Sequence, residues 1–247
     1  MEVNLLGIKI NAISMEESVD MVARFIKSGR PHRVLTINPE FLYRAQSDGE
    51  LRGLARRADL VTPDGVGVVW ACHLAGNSVP ERVTGIDLML RLVERAARNK
   101  WRVFLLGAAP GVAGEAAAKL TSQYPGLQIA GVHHGFFSAD EEAAVNSIVR
   151  QSRPDLLFVA LGAPKQEWWI DRNIAKTGAA VAVGVGGSFD VVAGRAKRAP
   201  GWVCRLQLEW LFRLLKEPSR WRRQLVLPLF AWKVFREYKL KKFWTKT

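Results

Sequence analysis

Up to Val185 the chain alternates short apolar runs with stretches whose apolar residues recur at helical spacing. The runs predict strands at Gly7–Asn11, Arg33–Asn38, Asp59–Thr62, Arg102–Leu106, Gln128–Val132, Leu156–Leu161 and Ala179–Val185. Leu156-Leu157-Phe158-Val159-Ala160-Leu161 has no polar position, which suits a strand covered on both faces of a parallel sheet. Helical stretches fall near 15–28, 40–57, 66–75, 86–99, 111–123, 139–152 and 165–176. Ser14 with Glu17, and Ser138 with Glu141, have the spacing of capping boxes, where hydroxyl and carboxylate satisfy N–H groups at a helix start. This alternation predicts an α/β fold, an open and mostly parallel Rossmann-like sheet with helices on both faces. Ligands of such sheets bind outside the carboxyl ends of the strands, so the chemistry is sought just after each run.

The pattern changes at Ala199-Pro200-Gly201, a turn signal. Beyond it the sequence predicts two or three helices, broken at Pro218 and Pro228. The expected organisation is an α/β domain over 1–195 and a helical appendage over 196–247. Charge separates the two parts. The net charge is +13, and residues 195–247 hold 15 Lys or Arg against 3 acidic residues, whereas residues 1–194 hold 21 against 20. The tail also carries five of the nine tryptophans, Trp202, Trp210, Trp221, Trp232 and Trp244. Tryptophan favours the membrane interface and basic residues favour anionic lipid heads, so the tail is expected to attach to a membrane surface in its plane. No run of about 18 apolar residues, the length of a spanning helix, occurs.

The start MEVNLLGIKINAIS lacks the features of a signal peptide. Two cysteines, Cys72 and Cys204, make no disulfide framework and fit a reducing compartment. The expected location is the cytoplasm, attached peripherally to the inner face of the cell membrane. Removing the chain from about residue 196 onward is expected to leave a soluble body with little activity.

Several strands end in small or polar residues: Thr36-Ile37-Asn38-Pro39, Thr62-Pro63-Asp64-Gly65, the glycine stretch from Gly107 to Gly114, and Gly184-Val185-Gly186-Gly187-Ser188-Phe189-Asp190. Glycines let backbone N–H groups approach a ligand, and helix starts add partial positive charge that suits phosphate. The stretch from Gly107 lacks the G-x-G-x-x-G spacing, and the next strand ends in Val132-His133-His134 with no acid to hold a ribose. A dinucleotide site is therefore a poor reading, and with no Walker lysine motif so is a P-loop; no cofactor is expected. Asp64 is a candidate base, because transfer to a hydroxyl needs a group to take the proton. On spacing alone Pro63-Asp64-Gly65 reads more readily as a turn. Asp190 has a similar alternative as a cap. No Asp-x-Asp pair is available to hold a metal across a diphosphate, so Arg213, Arg220 and Arg223 in the tail are candidates for the positive charge there. A solvated or lipid-facing basic surface is their alternative.

Five ordered motifs carry a stronger signal: Thr36-Ile37-Asn38-Pro39-Glu40, Thr62-Pro63-Asp64-Gly65, Arg82-Val83-Thr84-Gly85-x-Asp87, Gly162-x-Pro164-Lys165-Gln166-Glu167 and Gly184-Val185-Gly186-Gly187-x-Phe189-Asp190. Together they resemble the WecG/TagA/CpsF family, glycosyltransferase family 26, over nearly the whole chain. The resemblance implies inverting, metal-independent transfer of N-acetylmannosamine from its UDP derivative. The acceptor would be the 4-hydroxyl of N-acetylglucosamine on undecaprenyl diphosphate, joined by a β-1,4 linkage. Such a step belongs to teichoic acid or related surface polysaccharide synthesis, and the uronic acid form of the sugar is the alternative donor.

By the same resemblance Asp64 is the general base, and Arg213, Arg220 and Arg223 reach the active site. Thr36, Asn38 and Gln166 would contact sugar or acceptor, Arg82 and Thr84 would border the donor diphosphate, Asp190 would contact the nucleoside, and Phe136 would stack on uracil. Gly107 and Lys165 complete the substrate-binding set. The expected partners are the UDP-sugar, the lipid-linked N-acetylglucosamine and the membrane surface, with a homo-oligomer left open. A basic aromatic tail would also suit a nucleic acid or a non-catalytic membrane scaffold. The neutral body and the lack of a nucleic-acid motif weigh against the first, and no nucleic-acid partner is expected.

Overall fold

The computed structural model describes residues 2–206, 208–216, 221 and 225–240. It opens with an antiparallel hairpin, β1 (Glu2–Leu5) and β2 (Ile8–Asn11). An apolar-run criterion passes over β1, because Glu2-Val3-Asn4-Leu5 alternates: Val3 and Leu5 are buried, Glu2 and Asn4 exposed. Leu6 and Gly7 both have positive φ, 52° and 81°, as a tight hairpin turn requires. Asn11 of β2 accepts a hydrogen bond from Val61 N–H at 2.8 Å, which ties the hairpin to the edge of the main sheet.

That sheet has six parallel strands, β3 (His32–Ile37), β4 (Leu60–Pro63), β5 (Arg102–Gly107), β6 (Gln128–His133), β7 (Leu156–Ala160) and β8 (Val181–Gly184). Their spatial order is β4-β3-β8-β7-β5-β6. The helices are α1 (Met15–Ile26), α2 (Pro39–Arg44), α3 (Gly49–Arg57), α4 (Val66–Leu74), α5 (Gly85–Asn99), α6 (Val112–Gln123), α7 (Glu142–Gln151), α8 (Lys165–Thr177) and α9 (Ser188–Val192). The architecture is α/β and Rossmann-like, as the alternation predicts. One expected helix, 40–57, is two: the first ends at Arg44, and Asp48 caps the second, its Oδ1 accepting from Glu50 N–H at 2.9 Å and from Leu51 N–H at 3.1 Å. The Ser14–Glu17 box caps α1. Ser138 and Glu141 exchange the same bonds, at 2.7 and 3.4 Å, but α7 starts only at Glu142.

Strand residues alternate between two cores. Val103, Leu105, Phe158 and Val183 pack under α1, α5, α6 and α9 on one face. Phe104, Leu106, Leu157, Val159 and Ala182 pack under α7 and α8 on the other. Adjacent strands β5 and β7 thus send their following helices, α6 and α8, to opposite faces. The gap between their carboxyl ends is the kind of crevice in which open α/β sheets bind ligands. A third cluster joins the hairpin, α2, α3 and α4 to Leu35, Ile37 and Val61.

Beyond residue 196 lie α10 (Gly201–Arg205), α11 (Glu209–Lys216) and α12 (Val226–Phe235), the last continued by a π-helical turn, Arg236–Leu240. The break expected at Pro228 does not occur. Pro228 sits in the first turn of α12, where a backbone N–H has no intrahelical acceptor to lose. Pro218 lies outside the described residues. Phe230 and Val234 of α12 are buried in the third cluster, each contributing about 1.5–3 kcal/mol. Tyr238 adds a tie, its hydroxyl accepting from Leu6 N–H at 2.8 Å.

Candidate active site

The carboxyl edge of the sheet brings all five motifs into one continuous cluster. Asp64 follows β4, and its N–H donates to the Ile37 carbonyl at the end of β3, 2.8 Å away. Its Oδ2 accepts from Gly85 N–H at 3.4 Å. Gly85 is the first residue of α5, so the carboxylate sits at a helix start, where free N–H groups and the helix dipole favour an anion. The approach is laid down by Val83, whose N–H donates to the Pro63 carbonyl at 3.0 Å. Gly85 is also needed for space: a Cβ there would lie 3.2 Å from Thr36 Oγ1 and 3.7 Å from the Gly184 carbonyl.

Thr36 itself donates from Oγ1 to that Gly184 carbonyl at 3.4 Å. Gln166, buried at the start of α8, closes the group from the other side. Its Oε1 accepts from Gly186 N–H at 2.9 Å and its Nε2 donates to Glu167 Oε1 at 2.8 Å. A Cβ on Gly184 would lie only 2.8 Å from Gln166 Nε2, so this glycine makes room for the amide. Asp64, Gly85, Thr36, Gly184 and Gln166 therefore form one polar row across β4, β3, β8 and the loop after β7.

A second group forms where β5, β6 and β7 end. Gly107 has φ of 133°, and a Cβ there would overlap the Ala160 carbonyl at 2.4 Å, so β5 and β7 approach too closely for any side chain. Gly135 N–H donates to the Ala108 carbonyl at 2.8 Å, which lays the loop after β6 over that of β5. Phe136 follows, 71% exposed, an aromatic face offered to solvent. Lys165 is exposed at the first position of α8, its Nζ 5.7 Å from the centroid of the Phe137 ring. Asp190 lies half-buried in α9, and its backbone carbonyl accepts from the N–H groups of Arg195 and Ala196.

Asn38 and Thr84 act here as helix caps. Asn38 Oδ1 accepts from Phe41 N–H at 2.9 Å, and Thr84 Oγ1 accepts from Asp87 N–H at 3.2 Å while donating to the Asp87 carboxylate at 2.6 Å. Arg82 is held by Glu209 of α11 through two bonds of 3.2 and 3.0 Å. Arg198 donates to Asp87 in the same motif. The third motif is thus tied to the segment beyond residue 196 at two points. Arg213 falls on α11, but its side chain, and all of Arg220 and Arg223, lie outside the described residues.

The whole row of strand-end motifs falls within the match to one family model, Glycosyl transferase WecG/TagA/CpsF family, which covers residues 3–243. The chain belongs to this family. It is a hexosyltransferase. Relatives include an N-acetylglucosaminyldiphosphoundecaprenol N-acetyl-beta-D-mannosaminyltransferase of Bacillus spizizenii strain W23, 40% identical over 198 residues, 80% of this chain and 76% of the relative. A protein of the same name from Bacillus subtilis strain 168 is 38% identical over 209 residues, 85% of this chain and 81% of the relative. Another from Staphylococcus aureus strain MW2 is 34% identical over 244 residues, 98% of this chain and 95% of the relative.

Sequence reasoning about this transferase left Gly85, Asp87, Glu167, Arg198 and Glu209 without roles, although four of them touch residues it did single out. Gly85, Asp87 and Glu167 stand inside the strand-end motifs, and their neighbours in the motif were the available signal. Glu209 and Arg198 had none, because an ion pair between distant segments leaves no local pattern.

Proposed function

We propose that this transferase moves N-acetylmannosamine from UDP-N-acetylmannosamine to the 4-hydroxyl of N-acetylglucosamine on undecaprenyl diphosphate, forming a β-1,4 linkage. The observation that carries this reading is the Asp64 carboxylate, held at the start of α5 beside Thr36 and in one row with Gln166. The names of the relatives supply the sugar and the acceptor.

Asp64 takes the proton of the acceptor hydroxyl as its oxygen attacks the anomeric carbon from the face opposite UDP, inverting that centre. Negative charge grows on the departing diphosphate. Arg82, the helix starts at the same edge, and the tail arginines Arg213, Arg220 and Arg223 supply opposing charge without a metal ion. Phe136 offers a face for uracil, and Asp190 and Lys165 border the nucleotide.

The acceptor cannot leave the bilayer, so the enzyme works at the inner membrane surface. Among the described residues no helix is long and apolar enough to cross a membrane. Support for peripheral attachment comes from α12 and the segment before it, where Trp221, Leu225, Leu229, Trp232 and Phe235 are all exposed beside Lys233 and Arg236.

The test is turnover on a short-chain lipid-diphosphate N-acetylglucosamine acceptor with three donors: UDP-N-acetylmannosamine, its uronic acid form and UDP-N-acetylglucosamine. The first should dominate. Preference for the uronic acid would reassign the donor, and no transfer from any of them would remove the reading.

A further inference from the structure

We infer that Glu167 is a positioning residue for sugar transfer, fixing the side-chain amide of Gln166 and through it the Gly186 loop at the end of β8. The inference rests on the proposed placing of Gln166 against substrate.

A primary amide fits its space in two orientations that exchange donor and acceptor. Here both neighbours demand the same one. Gly186 N–H needs an acceptor and receives Gln166 Oε1 at 2.9 Å; Glu167 Oε1 accepts from Gln166 Nε2 at 2.8 Å. Turning the amide over would set two donors against each other at Gly186 and, with Glu167 ionised, two acceptors against each other at its carboxylate. The pair therefore locks the amide, and the locked amide holds the glycine loop.

The lock sits where small errors matter. Gln166 Nε2 is within 2.8 Å of where a Cβ of Gly184 would lie, and Thr36 donates to the Gly184 carbonyl. Thr36 in turn limits the space at Gly85, whose N–H meets Asp64. Moving the amide displaces the floor shared by these groups.

Folding alone does not explain a carboxyl group here. Glu167 is 5% exposed, and its Oε2 has no hydrogen-bond partner among the described residues. Burial raises its pKa above the ordinary carboxyl value. An apolar residue of similar size would meet the packing need of α8 without that cost. A local cost of this kind, one residue from a substrate contact, fits a working site.

The test compares Glu167→Ala, Glu167→Gln, Gln166→Ala and the Glu167→Ala/Gln166→Ala double variant of the full chain. Readouts are kcat, KM for each substrate, UDP affinity and thermal unfolding. Glu167→Ala should lower kcat by about 10–100-fold, as expected for a small misplacement of a substrate contact, with UDP affinity within about twofold. Glu167→Gln keeps a carbonyl that accepts from Gln166 and should recover most of the loss. The double variant should be no worse than Gln166→Ala alone, because both changes remove one unit.

Should Glu167→Ala fail to fold, Gly184→Ala displaces the same amide from β8 and should give the same fall in kcat. Normal turnover in Glu167→Ala or Gly184→Ala beside an impaired Gln166→Ala would overturn the positioning role and leave the site reading intact. Additive losses would overturn it as well. Normal turnover in Gln166→Ala would remove both.

Discussion

Arg82 and Glu209, 127 residues apart in sequence, meet through two hydrogen bonds of 3.0 and 3.2 Å. One belongs to the third strand-end motif and the other opens α11. A guanidinium fork gripping a carboxylate uses the same geometry with which it grips a phosphate. Under the proposed function, Glu209 therefore holds a group that the donor diphosphate needs. Glu209→Gln is expected to tighten UDP binding about fivefold, the equivalent of ~1 kcal/mol for a partly exposed pair. Calorimetric titration checks this, and unchanged or weaker binding would place Arg82 away from the diphosphate.

Asp64→Asn keeps the shape of the group that faces Gly85 but cannot accept a proton. Turnover should fall by about 10²–10⁴-fold while UDP still binds, since general-base catalysis is worth that much. Single-turnover assays beside equilibrium UDP binding read the two effects separately. Near-normal turnover would remove Asp64 as the base.

Two aromatic residues of α12 should behave in opposite ways. Phe230 is 2% exposed in the cluster with α2 and α4, so Phe230→Ala should cost about 3–5 kcal/mol of stability. Trp232 is 59% exposed and stacks on Phe235, so Trp232→Ala should leave the unfolding midpoint nearly unchanged and weaken binding to anionic liposomes. A chain cut at 196 should be less stable than the full chain, because it leaves the Phe230 and Val234 sites on the body uncovered.

Gly107 and Gly162 both have positive φ, but only the first lacks space. Gly107→Ala drives a Cβ into the Ala160 carbonyl and should cost about 3 kcal/mol or more. Gly162 has nothing within 4 Å, and Gly162→Ala should cost about 1 kcal/mol, the strain of the left-handed backbone alone. Chemical unfolding curves of the two variants test the contrast.

Glu167 gives a pH signature. Burial raises its pKa in the folded chain, so the folded state holds the proton more tightly than the unfolded one. This group therefore favours folding below its ordinary pKa, and its contribution turns unfavourable as pH rises through the raised value. Glu167→Gln should raise the melting temperature more at pH 8 than at pH 4. An equal change at both would mean that the carboxyl does not titrate differently on folding.

The sequence by itself determined the elements, because burial writes itself into local patterns. The unbroken run Leu156–Leu161 reports cover on both faces, and β7 has it; the period of α5 reports one apolar side, and Leu88, Met89, Leu92 and Val93 fill it. It also determined the strand-end motifs, and with them the family. Local patterns were thinner where alternation is short, as in β1, and where one side chain caps a new helix start, as Asp48 does.

What only the tertiary structure decided was which motif residues face one another. Thr36 and Gly184 are 148 residues apart and share a hydrogen bond because β3 and β8 are neighbours in a sheet whose order departs from chain order. The same holds for Glu209 on Arg82 and for Phe230 of α12 against α2 and α4. Such contacts depend on how elements pack, and the free energy that selects them is summed over whole faces. No short stretch of sequence carries that sum.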